Sequence, residues 1–355
     1  MARALQLAQR GCFTTHPNPR VGCVIVDKGQ VVGEGFHERA GAAHAEAAAL
    51  HAAAERARGA TVYVTLEPCS HHGRTPPCAD ALIAAGIGRV VAAMQDPNPL
   101  VAGQGMARLR AAGIVVDCGL MRAQAEQLNR GFILRMTQGR PFVTLKLAAS
   151  LDGRTAMASG ESRWISSQAA RDDVHRLRAA AGAVLTSRAT VAADDPALTV
   201  RLPGEWRQPD RIVLDTRGQV PATAKVWQEG ARRVRLLGND GAVARSTPIE
   251  GVESCAVAIG EDGRIALPAA LQTLGHLEIN EVLVECGPVL AGSLLQQGCV
   301  DELVLYLAPT LLGHDARPMA HLPALQSLAD RIRLTLADTR AVGPDLRLTL
   351  RPNRI

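Results

Sequence analysis

Aromatic residues and lysine are scarce in this chain. Phe, Trp and Tyr together make up 3% of its 355 residues, and lysine occurs only at positions 28, 146 and 225. Proteins that bind nucleic acid combine aromatic stacking platforms with runs or grooves of basic residues. Here the basic residues are mostly arginines scattered along the chain, so the sequence argues against a nucleic-acid partner.

Long apolar runs are also lacking. No stretch approaches the roughly 20 apolar residues of a membrane span, and the N-terminus M-A-R-A-L-Q-L-A-Q-R-G has the polar and apolar spacing of a helix rather than a secretory signal. Without an export signal, the eight cysteines predict a reduced, cytoplasmic protein whose thiols are ligands or core residues rather than disulfides. The net charge of +5 favours anionic ligands only weakly.

The densest group of potential metal ligands lies between His44 and Cys78. This stretch contains H-A-E at 44–46, a helical run, the strand T-V-Y-V-T-L, and then E-P-C-S-H-H-G-R-T-P-P-C. His44, Cys69 and Cys78 form a three-ligand zinc set that leaves the fourth tetrahedral position for water, as catalytic zinc requires. Glu46 is too close to His44 to be a natural fourth ligand, and it is placed to move protons to and from that water.

The order H-x-E, P-C and a second Cys is typical of zinc deaminases that act on amino-substituted pyrimidines or purines. Their usual pattern has two residues between the cysteines, whereas eight separate Cys69 from Cys78, so the intervening loop has to fold back compactly. The alternative is that His44 caps a helix and the cysteines are ordinary buried thiols. The order of these residues on alternating helix and strand favours the zinc centre.

The length of 355 residues and the hydrophobic content of 47% predict two domains. In the first half we expect helices at 1–10, 78–86, 104–112 and 121–135, and a β-hairpin around D-K-G at 27–29. Strands that alternate with helices predict a three-layer α/β sandwich with a partly parallel sheet. Ligands bind beyond the carboxyl ends of such strands, where the Cys loop and the D-P-N-P segment at 96–99 both fall.

The second half begins after M-T-Q-G-R-P with a buried strand that contains Lys146. We expect strands at 182–186, 211–215, 234–237 and 281–285, loops with one short strand over 238–265, and an antiparallel pair in the tail 331–351. After strand 281–285, Gly287, Gly292 and Ser293 offer backbone that a phosphate could approach at a helix N-terminus, although a plain strand-to-helix turn is the alternative. A buried Lys146 requires a partner or a role; Asp152 is the candidate partner, and placing or protonating a substrate is the candidate role.

The motifs of the first half resemble the deaminase half of the bifunctional riboflavin-biosynthesis deaminase/reductase family. They are H-P-N-P at 16–19, H-A-E, the long Cys motif, and D-P-N-P. The resemblance implies a cytidine-deaminase-like α/β/α domain with one zinc held by His44, Cys69 and Cys78, and Glu46 as the proton shuttle. It also implies substrate contacts from Asn18, His37, Arg74, Asp96 and Asn98. From the residues alone, turn chemistry is the better explanation of Asn18, Asp96 and Asn98, whereas Arg74 is suited to a substrate phosphate.

The motifs of the second half resemble the reductase half of the same family. They are L-K-L-A-A-S-L-D-G-R-T-A, G-E-S-R-W-I-S, T-V-A-A-D-D-P-A-L-T-V-R and V-E-C-G-P-V-L-A-G-S. The resemblance implies a dihydrofolate-reductase-like α/β fold that uses NADPH. The residues it implies at the dinucleotide are Ala148, Trp164, Thr190, Asp194, Thr216, Gly287, Pro288, Val289, Leu290, Ala291, Gly292 and Ser293. Those it implies at the ribosyl phosphate substrate are Ser162, Arg178, Leu198, Arg201 and Glu285.

These observations predict a bifunctional cytoplasmic enzyme with a zinc deaminase domain at 1–138 and an NADPH-dependent reductase domain at 139–355, in which Glu46 and Lys146 are catalytic. Its substrates would be small phosphorylated pyrimidines, with no nucleic-acid or membrane partner, and the family implies a homo-oligomer. Two alternatives stay open at this point: a deaminase of another nucleotide or of a polynucleotide, and a second half that binds nucleotide without catalysis.

Overall fold

A computed structural model describes residues 1–70, 77–99, 101–228 and 230–353. The chain divides into two compact units, Met1–Gly139 and Arg140–Ile355, called here the first and second units. In the described ranges, every helix is too short or too polar to span a bilayer.

The first unit is built on a five-stranded sheet. Its strands are β1 Gly22–Asp27, β2 Gln30–Phe36, β3 Thr61–Val64, β4 Arg89–Ala92 and β5 Val115–Cys118, in the order β2-β1-β3-β4-β5. β1 pairs antiparallel with β2 and β3, while β3, β4 and β5 are parallel. The hairpin predicted around D-K-G is confirmed, because Asp27 pairs with Gln30 across the turn.

Helices cover both faces of this sheet. They are α1 Ala2–Gln9, α2 Ala45–Ala53, α3 Cys78–Ala84, α4 Gln104–Ala111, α5 Arg122–Leu128 and α6 Arg130–Gln138, with a 3-10 turn at Ala54–Ala57. Val24 of β1 packs with α1 on one face, and Cys23 and Ile25 pack with α2 on the other. The predicted three-layer α/β/α arrangement is therefore confirmed.

Two glycines set the distance between α2 and the sheet. A Cβ on Gly33 or Gly35 of β2 would lie 2.2 or 2.4 Å from the carbonyl oxygens of Ala49 and Ala45, respectively. Since only glycine tolerates so close an approach, the alanine-rich helix lies directly on the strand. The first residue of α2 follows His44, so this contact also fixes the position of the first predicted metal ligand.

The second unit contains a nine-stranded sheet of order β11-β10-β9-β8-β12-β6-β13-β16-β15. Its strands are β6 Phe142–Ser150, β8 Ala183–Ser187, β9 Asp210–Leu214, β10 Arg233–Gly238, β11 Glu253–Val257, β12 Glu281–Glu285, β13 Glu302–Ala308, β15 Leu334–Val342 and β16 Asp345–Pro352; a separate two-stranded sheet pairs β7 Arg154–Ala156 with β14 Arg317–Pro318. The strands from β11 to β13 are parallel, and β16 and β15 add an antiparallel edge. The antiparallel pair predicted in the tail is confirmed.

Helices again lie on both faces of the second sheet. They are α7 Gln168–Ala180, α8 Arg188–Asp194, α9 Asn239–Arg245, α10 Leu267–His276 and α11 Pro288–Gln296. Residues of α10 and α11 share the largest core with β6, β8, β12 and β13, whereas residues of α7 pack with β13. This places the segment after β12 at the N-terminus of α11, as the sequence predicts.

Two predictions about elements are wrong. The helix expected over 121–135 is two helices, broken at Asn129, whose side-chain oxygen accepts from the Arg20 N–H at 2.8 Å while its amide nitrogen donates to the Arg20 carbonyl at 2.9 Å. Segment 238–265 contains a helix, α9, besides the one short strand expected there.

Candidate active sites

Three elements bring the predicted metal ligands together in the first unit. His44 is the residue before α2, Cys69 follows the end of β3, and Cys78 is the first residue of α3. The His44 Nδ1 atom lies 3.2 Å from Cys78 Sγ and 3.6 Å from Cys69 Sγ, and the three ligand atoms all lie within 4.8 Å of one another. Ligands around a tetrahedral zinc are separated by roughly 3.5 Å, so one nitrogen and two sulfurs at these distances fit that ion.

The surroundings of the triad stabilise a negative sulfur. The Cys78 thiol and the His44 ring both hydrogen-bond to Cys69 Sγ. The Cys78 N–H also donates to Cys69 Sγ, at 3.3 Å. These donors, the Cys78 thiol first, lower the pKa of Cys69 to about 4 despite its burial. Thiolate is the form of cysteine that binds metal, so this arrangement favours the metal-binding form at Cys69, while the same hydrogen bond raises the pKa of the Cys78 thiol that donates it.

Glu46 lies in the first turn of α2 and is only 3% exposed. Burial raises the pKa of its carboxyl to about 7, since a charged carboxylate loses hydration there. A group that titrates near neutral pH can both accept and return a proton. The predicted proton shuttle therefore has suitable acidity and lies beside the metal ligands.

A cavity of about 200 Å³ opens onto this centre. It brings together the predicted residues His44, Glu46, Cys69, Asn18, His37, Asp96 and Asn98. Arg74 lies outside the described residues. The cavity wall also contains Glu67, Val101 and Phe132, which sequence reasoning missed; the position of Glu67 directly before P-C was the available signal.

Hydrogen-bond direction fixes how Asn18 faces this cavity. The His37 Nδ1 atom lies 3.1 Å from the Ala43 carbonyl, which can only accept, so this nitrogen carries the proton. The His37 Nε2 atom is then an acceptor for the Asn18 side-chain amide, 3.0 Å away. Asn18 is thereby left with its side-chain oxygen to accept from another donor, such as an amino group in the cavity.

The second unit places three predicted residues in one ion cluster. Arg178 donates to both carboxylate oxygens of Glu285, at 2.5 and 3.0 Å, and Lys146 lies 3.3 Å from the same carboxylate. Asp152, the partner expected for Lys146, instead accepts from Ser150 and from the N–H groups of Leu312 and Gly313. That expectation is wrong because Glu285 pairs with Lys146 across the β12–β6 register.

Further basic residues lie near this cluster. Burial, followed by the charge of Arg178, lowers the pKa of Arg201, and burial together with both arginines lowers the pKa of His175. The His175 Nδ1 atom accepts from the Arg201 N–H at 3.3 Å. Two arginines and a lysine around one carboxylate leave an excess of positive charge, which suits a phosphate. The Leu198 side chain is buried in the core and is only 3% exposed.

The predicted dinucleotide residues are distributed over several elements. Ala148 lies on β6, Trp164 precedes α7, Thr190 and Asp194 lie on α8, and Thr216 follows β9. Ser162, which was predicted at the substrate, also precedes α7. The Gly287 N–H donates to Thr190 Oγ1 at 3.3 Å, so the start of α11 is held against α8. The Trp164 side chain is 69% exposed, with the Arg171 guanidinium 4.4 Å from its ring centre.

Gly292 does not expose its backbone as the sequence suggested. It lies inside α11, and a Cβ there would be 1.9 Å from the His321 carbonyl oxygen. The Ser293 hydroxyl donates to the Val289 carbonyl of the same helix at 3.0 Å. A Cβ on Gly287 would meet no described atom within 4 Å, so Gly287 remains the open residue at the helix N-terminus.

Comparison with known proteins identifies both units. A family model described as the cytidine and deoxycytidylate deaminase zinc-binding region matches residues 1–94. A second, described as the RibD C-terminal domain, matches residues 141–348, more than half of the chain. The chain belongs to the RibD family. The resemblance found in the sequence is thus confirmed.

Individual RibD proteins match over nearly the whole length. The riboflavin biosynthesis protein RibD of Escherichia coli strain K12 is 56% identical over 367 residues, covering 99% of this chain and 98% of that protein. A structure of Acinetobacter baumannii RibD is 46% identical, with a TM-score of 0.91 over 99% of this chain and 98% of that one. A Thermotoga maritima diaminohydroxyphosphoribosylaminopyrimidine deaminase/5-amino-6-(5-phosphoribosylamino)uracil reductase is 34% identical, with a TM-score of 0.88 over 99% and 97%.

As a RibD, the chain is a bifunctional deaminase and reductase of riboflavin biosynthesis that acts on small pyrimidines and uses zinc and NADPH. This confirms the predicted fold class, enzyme class and cofactors. A non-catalytic second half, and a deaminase of some other nucleotide or of a polynucleotide, are both disfavoured.

Proposed function

We propose that residues 1–138 deaminate 2,5-diamino-6-ribosylamino-4(3H)-pyrimidinone 5′-phosphate at its 2-amino group. Residues 139–355 would then reduce the ribosyl side chain of the product to give 5-amino-6-(5-phospho-ribitylamino)uracil. The substrates named for the T. maritima protein support this. The observation that carries the proposal is the His44, Cys69 and Cys78 triad beside buried Glu46 at the wall of one cavity.

In the deaminase step, His44, Cys69 and Cys78 would hold zinc, which when bound supplies Lewis-acid activation of water. Glu46 takes a proton from the attacking water as its oxygen bonds to the carbon that carries the amino group. Glu46 then returns a proton to the amino nitrogen, the carbon–nitrogen bond breaks, and ammonia leaves. The pKa of about 7 lets one carboxyl perform both transfers near neutral pH.

Asn18, His37, Asp96 and Asn98 would position the pyrimidine in this cavity, which they line together. Asn18 is suited to accept from a pyrimidine amino group, because its own amide nitrogen is engaged by His37. Arg74, within the Cys loop, would bind the substrate phosphate.

In the reductase step, NADPH when bound would supply the hydride that C1′ of the opened ribosyl chain accepts. Lys146 would place the substrate or donate the proton that accompanies the hydride, and Glu285 would keep Lys146 and Arg178 in position through its ion pairs. Arg178 and Arg201 would bind the phosphate of the substrate. Ser162 and the backbone of Leu198 would contact the same substrate.

We further propose that NADPH lies along Ala148, Trp164, Thr190, Asp194, Thr216 and the start of α11. Gly287, Pro288, Val289 and Leu290 lie at the helix N-terminus, where backbone N–H groups favour a phosphate. Gly292 would contribute by packing, given its contact with His321.

The protein is also proposed to be a cytoplasmic homo-oligomer with no nucleic-acid partner. All eight cysteines are free thiols, as a reducing compartment favours. Aromatic residues make up only 3% of the chain, too few for the stacking platforms of polynucleotide binding.

The experiment is a two-stage assay on purified full-length protein. Zinc is measured by elemental analysis, ammonia release is followed with the phosphorylated diaminopyrimidine, and NADPH oxidation is then followed with the deaminated product. We expect one zinc per chain, ammonia release, and NADPH consumption only with the second substrate. Zinc without ammonia release would indicate a different deaminase substrate, and no NADPH consumption would rule out the reductase assignment.

A further inference from the structure

Glu67 is a buried carboxylate with three backbone N–H donors. Its side chain follows β3 and is 3% exposed, and its oxygens accept from Asp96 at 3.1 Å, Gly103 at 2.9 Å and Met106 at 3.1 Å. Hydrogen bonds to a charged acceptor are about twice as strong as neutral ones. The carboxylate therefore joins the strand that leads to Cys69 to two separate points of a later segment.

Two of these donors belong to the N-terminus of α4. Gly103 is the N-cap residue, adopts φ +81°, and has no side chain with which to cap the helix. Met106 is the third residue of the helix, the usual donor to an N-cap side chain. Glu67, which follows β3, therefore caps α4 from outside the helix. Its negative charge lies near the positive end of the helix dipole and stabilises it.

Close packing supports the same attachment. A Cβ on Gly105 would lie 1.9 Å from the Pro68 carbonyl oxygen and 3.3 Å from Glu67 Oε1. The start of α4 is thus seated directly on the residues that precede Cys69. The Glu67 N–H also donates to the Met94 carbonyl at 3.0 Å, so Glu67 is itself fixed on the sheet.

The segment held in this way carries the wall of the cavity. The Asp96 N–H donates the first of these hydrogen bonds to Glu67, and the Asp96 side chain accepts from the Asn98 N–H at 2.8 Å. The Asn98 carbonyl in turn accepts from Val101 and Ala102, both at 2.9 Å. Asp96, Asn98 and Val101 line the same cavity as His44 and Glu46, so their distance from the metal ligands depends on Glu67.

We propose that Glu67 is a positioning residue for the deamination reaction: it holds Asp96 and Asn98 at a fixed distance from Cys69, so that the pyrimidine binds with its amino group at the metal centre. This role rests on the proposed deaminase function. It predicts that loss of the carboxylate weakens substrate binding more than it slows the chemical step, because Glu46 and the metal ligands are untouched.

The test is Glu67→Gln in the full-length protein, with Glu55→Gln, an exposed glutamate of the same unit, as matched control. Glutamine turns an NH₂ group toward donors that need an acceptor. We expect KM for ammonia release to rise about tenfold and kcat to change by less than about threefold. Zinc should stay at one per chain, which shows that the first unit is folded, and NADPH oxidation with deaminated substrate should be unchanged, which shows that the second unit is unaffected.

Amide hydrogen exchange tests the anchoring without substrate. Exchange in peptides covering 101–106 should be faster in Glu67→Gln than in Glu55→Gln, while peptides from α2 stay protected. Unchanged exchange, an unchanged KM, or loss of zinc in step with kcat would each overturn the proposal, the last because Glu67 would then support the metal ligands. If Glu67→Gln does not fold, Glu67→Asp, which keeps the charge, is compared in the same way.

The two proposals fail differently. If the wild-type protein releases no ammonia from the phosphorylated diaminopyrimidine, the deaminase assignment is wrong whatever the exchange data show. If the wild type is active and the variant is indistinguishable from its control, only the role of Glu67 is wrong.

Discussion

Glu46 is buried beside the metal ligands. Its replacement distinguishes a role in proton transfer from a structural role at the metal site. Glu46→Gln keeps the size of the side chain but cannot move a proton. We expect kcat for ammonia release to fall by about 10²- to 10⁴-fold, while zinc remains at one per chain because His44, Cys69 and Cys78 form the ligand set. Elemental analysis beside the ammonia assay checks this. Loss of zinc from the variant would show instead that Glu46 is structural.

Glu285 gives the second unit a defined acid dependence. Burial alone would raise the pKa of its carboxyl, but the charges of Arg178 and Lys146 outweigh burial and hold it at about 2, below the ordinary 4.5. A carboxyl whose pKa is lower in the folded state contributes stability above its unfolded pKa and loses that contribution as the pH falls through its folded pKa. The ion cluster should therefore lose its stabilising effect between pH 4.5 and pH 2.

The comparison is between wild type and Glu285→Gln in urea unfolding at several pH values. At neutral pH the variant should be less stable, because Lys146 and Arg178 stay largely buried without their counter-charge. The difference should be constant above about pH 5 and shrink toward pH 2. Glu261→Gln, an exposed control, should show no such difference. If the difference in the free energy of unfolding between wild type and Glu285→Gln instead grows as the pH falls, the stabilising role of the Glu285 carboxylate is contradicted.

Sequence reasoning succeeded at residues whose chemistry is encoded locally and failed where the partner is distant. The metal triad could be predicted because H-x-E and P-C are short patterns with a strict chemical meaning. The partner of Lys146 could not, because Glu285 is its neighbour only through strand pairing, whereas Asp152 is near in sequence. Glu67 was missed for the same reason: its position before P-C places it near a metal ligand, but it does not show that three distant backbone N–H groups converge on its carboxylate.

At the scale of elements, α11 depends on a glycine for packing rather than for ligand access. In Gly292→Ala the new methyl group would meet the His321 carbonyl oxygen, so we expect the free energy of unfolding to fall by about 1–3 kcal/mol. Gly241→Ala is the matched control, because Gly241 also lies in a helix but faces only the flexible end of Arg245 at 3.1 Å and the Asn239 side chain at 3.3 Å. It should be neutral or stabilising by up to about 1 kcal/mol. Thermal unfolding of both variants checks this. If Gly292→Ala and Gly241→Ala change the stability equally, the packing role of Gly292 is refuted.

Most elements could be predicted because their periodicity agrees with their burial. Strand 281–285 is an apolar run between polar residues and coincides with β12, and the D-K-G turn places β1 beside β2. The break at Asn129 could not be predicted, because helix propensity continues through it and the hydrogen bonds that hold Leu128 and Asn129 come from Arg20, 109 residues before Asn129. Helix α9 was missed because its seven residues, N-D-G-A-V-A-R, include only two buried or half-buried apolar positions to mark a period.

At the scale of the whole molecule, the metal ligands and the reductase ion cluster belong to separate compact units. His44, Cys69 and Cys78 lie within Met1–Gly139, whereas Lys146, Arg178 and Glu285 lie within Arg140–Ile355, which has its own large core. A unit with its own core does not need the metal of another unit to fold. Removing zinc from the full-length protein should therefore abolish ammonia release and leave the NADPH-dependent reduction of deaminated substrate within about twofold of its original rate.

The measurement is both activities on one sample before and after treatment with a chelator, followed by readdition of zinc. Recovery of ammonia release on readdition shows that the loss came from the metal and not from damage. A parallel loss and recovery of the reductase activity would show that the second unit depends on the zinc centre after all. Because the described residues of the His44–Cys78 stretch, 44–70 and 77–78, belong neither to the core nor to the ion cluster of the second unit, we expect the two activities to separate.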